Sequence, residues 1–163
     1  MPDKTDSVEA IDRMMDDTQQ TQEKSASKEL RSILASLHDE YKADCVVNYG
    51  NIGDVVMKVP AIKQKWVSRY CKYRNMATDV EKKLAAETDA EIKRVMKESP
   101  VAMTAVAAAK AVAKSESRAL MALRERQELL KRICEDLSEI LKHVHFLNTE
   151  IATIVDFMKM ENS

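Results

Sequence analysis

The part of this sequence best suited to hold a charged ligand is the segment "KVPAIKQKWVSRYCKYRN", residues 58–75. It has no acidic residue, although the whole chain has 27 acids. Its basic residues are Lys58, Lys63, Lys65, Arg69, Lys72 and Arg74, and its aromatic residues are Trp66, Tyr70 and Tyr73. Cations bind phosphates, and aromatic rings stack on unpaired bases with little sequence preference. The pattern is therefore suited to single-stranded nucleic acid.

Two other interpretations of this basic segment remain open. On a helix, Lys65, Arg69 and Lys72 share one face, and the aromatic residues share the face beside it. The aromatic residues could instead belong to the core, with the basic residues merely solvated outside. Alternatively, the cations could pair with an acidic partner, such as the chain's own N-terminal segment. Further along the chain, the secondary candidates for phosphate contact are Lys82, Lys83, Lys93 and Arg94.

No group of residues shows the spacing of a catalytic or metal site. His143 and His145 are two residues apart, so a helix would point them in different directions. The three cysteines, Cys45, Cys71 and Cys134, are too far apart in sequence for a zinc motif, and their odd number argues against a disulfide framework. We therefore expect reduced thiols, no cofactor, no metal and no enzymatic activity.

The composition favours an all-α protein. Charged residues make up 33% of the chain and aromatic residues 4%, with two glycines and three prolines. Long helices tolerate this composition, whereas sheets need more β-branched, aromatic and turn residues. No apolar run reaches the length of a membrane span and the N-terminus has no signal core, so we expect a soluble intracellular protein with no membrane partner.

The order of helices and breaks predicts three regions. Residues 1–24 carry seven acids and three bases and predict a disordered acidic tail. Residues 25–98 predict an N-terminal helical nucleic-acid-binding region, with helices over 27–42 and 60–98 joined by a turn at 48–54. Ser99 and Pro100 predict the start of a C-terminal oligomerisation helix over 99–163, with a possible break near 114–117.

The C-terminal helix has a heptad pattern wider than that of a two-stranded coiled coil. With Leu120 at position a, ten of the twelve a and d positions are apolar, and four g positions are apolar as well. A stripe this wide must be buried on two flanks, either in a ring of several chains or inside a bundle within one chain. The candidate oligomerisation residues are Leu130, Ile133, Leu137, Ile140, Leu141, Val144, Leu147, Ile151 and Ile154.

Three stretches resemble the UvsY-type recombination mediator proteins of T-even-like bacteriophages. The first is "LHDEYKADCVVNYGNIGDVVMKVPAIKQKW", residues 37–66, with its P-x-x-x-x-K-[WY] helix start. The second is the basic helix that continues from it. The third is "CEDLSEILKHVHFLNTEIATIVDFMKMENS", residues 134–163, whose Leu-Ile pairs close on an Ile-x-x-x-x-x-[FW] tail from Ile151 to Phe157. Together these stretches cover about half of the chain.

The resemblance implies an elongated all-α protein with a helical hairpin and a long C-terminal helix through which it forms a ring-like homo-oligomer. It further implies a protein without enzymatic activity in the cytoplasm of an infected bacterial host. Such a protein binds single-stranded DNA, contacts the phage recombinase and the single-strand-binding protein, and helps to load the recombinase.

The chain also departs from the family pattern, and this keeps a second hypothesis open. Residues 84–96 read "LAAETDAEIKRVM", with Asp89 and Glu91 where the family has basic residues, and the Tyr-Tyr-Gly turn is missing. The usual DNA-contact cluster is therefore not carried over, and the nucleic-acid contacts are placed on Lys58 through Arg74. The alternative is a non-enzymatic coiled-coil adaptor or structural protein that does not bind nucleic acid.

Overall fold

The computed structural model describes four helices and no strand in residues 4–48, 50–99, 104–114 and 117–161. Side chains are described from Ser25 onward, except for those of Tyr49, Lys114 and the residues between or beyond these ranges. The helices are α1 (Lys4–Cys45), α2 (Ile52–Glu98), α3 (Ala105–Lys114) and α4 (Arg118–Glu161). The predicted all-α class, the helical hairpin and the long C-terminal helix are confirmed.

The turn between α1 and α2 is held by two asparagines that bond to each other's backbone. Asn48 accepts hydrogen bonds at its side-chain oxygen from the N–H groups of Gly50 and Asn51, at 2.9 and 3.1 Å. Asn51 in turn accepts one from the Asn48 N–H at 2.8 Å and donates one to the Val46 carbonyl at 2.8 Å. These bonds satisfy backbone groups that the helix ends leave open, so the hairpin reverses in a few residues.

The predicted end of the second helix is confirmed at Glu98, but its predicted start at Pro60 is wrong. Pro60 lies inside α2, which begins at Ile52, although a proline there removes one backbone hydrogen bond. The helix α3 is capped by Thr104, whose hydroxyl accepts a hydrogen bond from the Ala107 N–H, and not by Ser99. Pro100 lies outside the described residues.

The question of a break near residues 114–117 is answered by the start of α4. The Leu120 N–H donates to the Ser117 hydroxyl at 3.3 Å, and the Met121 N–H donates to the Ser117 carbonyl at 3.1 Å. Ser117 is therefore the N-cap of a new helix. The alanine-rich segment is a separate short helix, α3, which packs on α2 and buries Ala108 and Val112.

Three helices form one bundle core. The helix α4 packs along α2, and α1 packs mainly on α4, tied to it by an ion pair between Arg31 and Glu125. The regions predicted as 25–98 and 99–163 share this core. The buried side chains that form this core are Leu30, Leu37, Cys45, Val55, Val59, Ile62, Trp66, Tyr73, Val80, Leu129, Leu130, Ile133, Leu137, Ile140, Val144, Leu147 and Ile151.

The wide stripe of α4 is buried inside the chain. Its d and g positions from Leu130 to Ile151 face α1 and α2, and Leu130, Ile133 and Leu137 are 0% exposed. Of the nine candidate oligomerisation residues, only Leu141 and Ile154 keep partial exposure. The other seven cannot also form an interface between chains while this bundle is closed, so their assignment to oligomerisation is corrected to an intramolecular core.

The N-terminal segment also differs from its prediction, because α1 is helical from Lys4 onward where a disordered tail over 1–24 was expected. The segment from Lys4 to Cys45 contains no glycine and no proline. The shortage of large apolar residues before Ser25 argued against burial of this segment. It does not prevent the helix from extending there, because the packed part of α1 has already nucleated it. Residues 1–3 lie outside the described part of the chain.

Candidate nucleic-acid interface

The aromatic residues of the basic segment belong mainly to the core. Trp66 is 0% exposed and Tyr73 is 4% exposed, whereas Tyr70 is half-buried. The ring of Tyr41 meets the Trp66 ring edge-on, with centroids 6.4 Å apart. Base stacking needs an open ring face. The suggestion that Trp66 stacks on bases is therefore wrong for this conformation, and so is the nucleic-acid contact assigned to Tyr73.

The buried rings support the cations instead. Lys65 and Arg69 lie against Trp66, with their charged atoms 5.3 and 5.4 Å from the ring centroid. Lys72 lies 5.4 Å from the Tyr73 ring in the same way. Such contacts contribute about 0.5–1 kcal/mol each at exposed sites. The alternation of cations and aromatic residues thus positions the charges at the edge of the core.

Two cations of the segment are neutralised by acids of α1. Lys65 donates to Asp44 at 2.5 Å, and Arg69 donates to both carboxylate oxygens of Glu40, at 2.6 and 3.1 Å. The acidic partner considered from the sequence is thus the C-terminal half of α1, with the tail over 1–24 playing no described part. Sequence reasoning missed Glu40 and Asp44. These two acids are four residues apart, as are Lys65 and Arg69, so in an antiparallel hairpin each acid can face one of the cations.

The pair between Glu40 and Arg69 predicts a pH dependence. Hydrogen bonds from Arg69 hold the pKa of Glu40 below its usual value, so the native state stabilises the charged carboxylate. The ion pair therefore contributes to the stability of the fold. This contribution is complete above the unfolded pKa of 4.5 and is lost as the pH falls through the lower pKa of the folded state. We expect Glu40→Gln to lower the free energy of unfolding by about 0.5–1 kcal/mol at pH 7.

Urea unfolding at pH 7 and pH 3 measures this difference. The control is Glu29→Gln, which removes an exposed acid of the same helix. The loss caused by Glu40→Gln should shrink at pH 3, because this pH lies below the unfolded pKa of 4.5, where protonation of the unfolded carboxyl offsets the stabilisation by the ion pair. An equal loss at both pH values would contradict the role assigned to this ion pair.

Four cations of the segment remain without a carboxylate partner among the described residues, namely Lys58, Lys63, Lys72 and Arg74. Lys58 and Lys72 are exposed, and Lys65 keeps 40% of its side chain exposed despite its ion pairs. These three lysines are seven residues apart, so they lie in one row along α2, about 21 Å from end to end. The row is the basic surface that the structure offers.

The secondary candidates divide into two kinds. Lys82, Lys83 and Lys93 are exposed on the C-terminal half of α2. Arg94 donates to Glu91 in the preceding turn at 2.5 and 3.0 Å, and this acid compensates its charge. Helical periodicity places Lys83 in line with the row, which it therefore extends, whereas Lys82 and Lys93 lie on the side of α2 opposite Trp66. Arg94 adds little to the row.

Two basic residues that sequence reasoning left out, Lys131 and Lys142, come from α4. Lys131 lines a cleft between α2 and α4 together with Arg74. Lys142 lines a second cleft with Lys63, but it donates to Glu139 of its own helix at 2.6 Å, and this acid compensates its charge. Both residues lie outside the apolar stripe of α4. The sequence pattern of this helix indicated an oligomerisation helix and did not point to a basic surface. Only the antiparallel packing of α4 on α2 brings them beside the basic segment.

The cysteines and histidines form no chemical site in the described part of the chain. Burial raises the pKa of the Cys45 thiol to about 11, so this thiol stays neutral at physiological pH and is a poor nucleophile. No cluster of three or more His, Cys, Asp or Glu side chains that could hold a metal was found among the described residues. Nor is any helix described there long and apolar enough to cross a membrane.

The fold and the basic surface define an all-α bundle protein with a row of exposed lysines on its second helix. No family model matches the sequence, and neither the search of curated proteins nor that of solved structures found a match. The functional interpretation therefore depends on the residues of this chain and on the sequence resemblance described above.

Proposed function

We propose that this protein is a recombination mediator that binds single-stranded DNA and helps to load a recombinase onto DNA coated by single-strand-binding protein. The observation that carries the proposal is the row of Lys58, Lys65 and Lys72 on the flank of α2 beside α1, in which Lys58 and Lys72 have no carboxylate partner among the described residues. The resemblance to UvsY-type mediators also supports it, because it includes the segment that carries these lysines. The proposed setting is the cytoplasm of a phage-infected bacterium.

The row fits a polyanion without sequence preference. Its length of about 21 Å spans several phosphates of a single strand, and lysines hold phosphates as point charges without reading bases. Tyr70 is the one aromatic residue of the segment with a partly open ring, and Arg74 lies over that ring at 5.9 Å. Tyr70 lines the two clefts between α2 and α4, on the flank of α2 away from the lysine row, so binding by the row is expected to be electrostatic.

One double variant tests the row directly. We expect Lys58→Ala with Lys72→Ala to weaken the binding of a labelled single-stranded oligonucleotide and to make its salt dependence less steep. Each phosphate contact on a single strand contributes about 0.7 to the slope of log affinity against log salt, so the loss of two contacts lowers the slope by about 1.4. Fluorescence anisotropy at several salt concentrations measures both quantities.

The matched control is Lys28→Ala with Lys110→Ala, which removes the same charge from exposed positions on α1 and α3. This control should leave the salt slope unchanged. If both double variants lowered affinity equally, net charge would explain the effect and the assigned row would be wrong. The loading step is then tested by recombinase ATP hydrolysis on coated DNA, which the wild-type protein should accelerate and the Lys58/Lys72 variant should not.

A second candidate function, an adaptor that binds only protein, is favoured by one specific observation. Lys65 and Arg69 already show that the basic segment pairs with acids on a helix. A partner helix could use the remaining cations in the same way. Absence of oligonucleotide binding at low salt would favour this adaptor function over the mediator.

A further inference from the structure

The centre of the lysine row is already occupied by anions of the same chain. Lys65, in the middle of the row, donates to Asp44 at 2.5 Å and lies 3.7 Å from Glu40. Arg69, one turn further along α2, donates to both carboxylate oxygens of Glu40. A carboxylate offers a cation the same kind of charged oxygen acceptor as a phosphate does. The helix α1 therefore fills two positions at which a DNA strand would bind.

The two ion pairs interrupt the positive charge of the row. Lys58 and Lys72 lie about 21 Å apart along α2, and the neutralised Lys65 lies midway between them. Exposed charges separated by more than about 8–10 Å are largely screened from each other at physiological salt. The row therefore attracts a strand through two separate cations, and its affinity is lower than that of an unbroken row of the same length.

The carboxylates can leave these cations without movement of α1. Leu37 and Cys45 hold α1 in the core, whereas the four side chains of the ion pairs are each between 24% and 40% exposed. Ion pairs at such positions are weak, because water competes for both partners. The ring of Trp66 supports both cations from below, at 5.3 and 5.4 Å, so they stay in place when a phosphate replaces a carboxylate.

We propose that the two acids of α1, Glu40 and Asp44, compete with the phosphates of single-stranded DNA for the cations at the centre of the lysine row. The acids thereby limit the affinity of the row. This inference rests on the proposed binding of single-stranded DNA and names the residues that regulate it. The result is a site that holds a strand weakly and exchanges it readily, which suits a protein that passes the strand on to a recombinase.

The variant that tests this competition is Glu40→Gln with Asp44→Asn, which keeps the shape of both side chains and removes their charge. Lys65 and Arg69 are then free for two further phosphates, so the slope of log affinity against log salt should steepen by about 1.4. We expect the affinity for a labelled single-stranded oligonucleotide to rise about tenfold at about 50 mM salt. This gain should shrink about sevenfold at about 200 mM salt, and fluorescence anisotropy measures both values.

The matched control is Asp39→Asn with Asp89→Asn, which removes the same charge from exposed positions on α1 and α2. Asp39 is two residues from the buried Leu37, so it lies on the opposite side of α1 from the core. This control should leave the salt slope unchanged, and circular dichroism checks that each variant keeps its helical signal. Equal gains in both double variants would show an effect of net charge and would overturn the proposal.

A second set of variants locates the effect on the two cations. Lys65→Gln with Arg69→Gln, added to Glu40→Gln with Asp44→Asn, should remove both the gain in affinity and the added slope. Persistence of the gain in this fourfold variant would show that the acids act on other cations, and the assigned competition would be wrong.

The same titrations separate this inference from the proposed function. Binding by the wild-type protein that Glu40→Gln with Asp44→Asn does not strengthen would overturn the competition and leave the DNA-binding role intact. Binding by the variant alone would support the competition and contradict DNA binding by the wild-type protein. Absence of binding by both proteins at low salt would contradict the competition and the DNA-binding role together.

Discussion

Replacement of Leu137 by aspartate should abolish cooperative folding of this protein. Leu137 is 0% exposed at the centre of the α4 stripe and packs in the core shared with α1 and α2. A buried Leu→Ala change already costs about 2–5 kcal/mol, and an unpaired carboxylate in the same place costs more. Domains of ordinary stability have only about 5–15 kcal/mol to lose. Thermal unfolding followed by circular dichroism should show no cooperative transition.

The outcome of Leu137→Asp also distinguishes the bundle from the oligomer helix predicted from the heptads. If the stripe were an interface between chains, the variant would be a folded helical monomer in light scattering. The control is Met121→Asp, at a position of the same helix that is 51% exposed, and it should unfold within a few degrees of the wild type. A folded monomer for Leu137→Asp would contradict the intramolecular core.

Replacement of Trp66 by alanine should destabilise the protein by about 3–5 kcal/mol, the usual cost of removing a buried large aromatic side chain. The matched control is Trp66→Phe, which keeps most of the ring volume. The indole N–H has no hydrogen-bond partner among the described residues, so its removal leaves no bond broken, and we expect a cost of about 1–2 kcal/mol. Urea unfolding measures both values.

Trp66 is also a spectroscopic reporter, because it is the only tryptophan of the chain. In this fold its emission should be blue-shifted, and addition of a single-stranded oligonucleotide should leave its intensity nearly unchanged. Strong quenching by the oligonucleotide would show that a base stacks on the indole. Such a result would contradict the assignment of Trp66 to the core.

The fold class and the positions of the breaks between helices could be predicted from the sequence because they depend on local chemistry. The break after Glu98 follows from Ser99 and Pro100, and the turn at 48–54 follows from its asparagines and glycines. The partner of the α4 stripe could not be predicted, because an apolar stripe has the same pattern whether a neighbouring helix belongs to the same chain or to another. Pro60 misled the prediction because tertiary packing sustains α2 through it.

The site was predicted only in part, for a physical reason that concerns the aromatic residues. A cation beside an aromatic residue has the same spacing whether the ring is exposed for stacking or buried as a support. Burial separates the two, and it depends on α1, whose Tyr41 covers Trp66. Lys58, Lys65, Lys72 and Arg74 are exposed on the surface. The neutralisation of Lys65 and Arg69 depends on acids of α1, a helix that was interpreted separately in the sequence.

The most direct test of the proposed function is fluorescence anisotropy of a labelled single-stranded oligonucleotide titrated with the full-length protein at several salt concentrations. The proposal predicts binding at low salt that weakens steeply and linearly on a log–log plot, as counterion release requires. Absence of binding at low salt would contradict a nucleic-acid role and leave the protein as a helical adaptor.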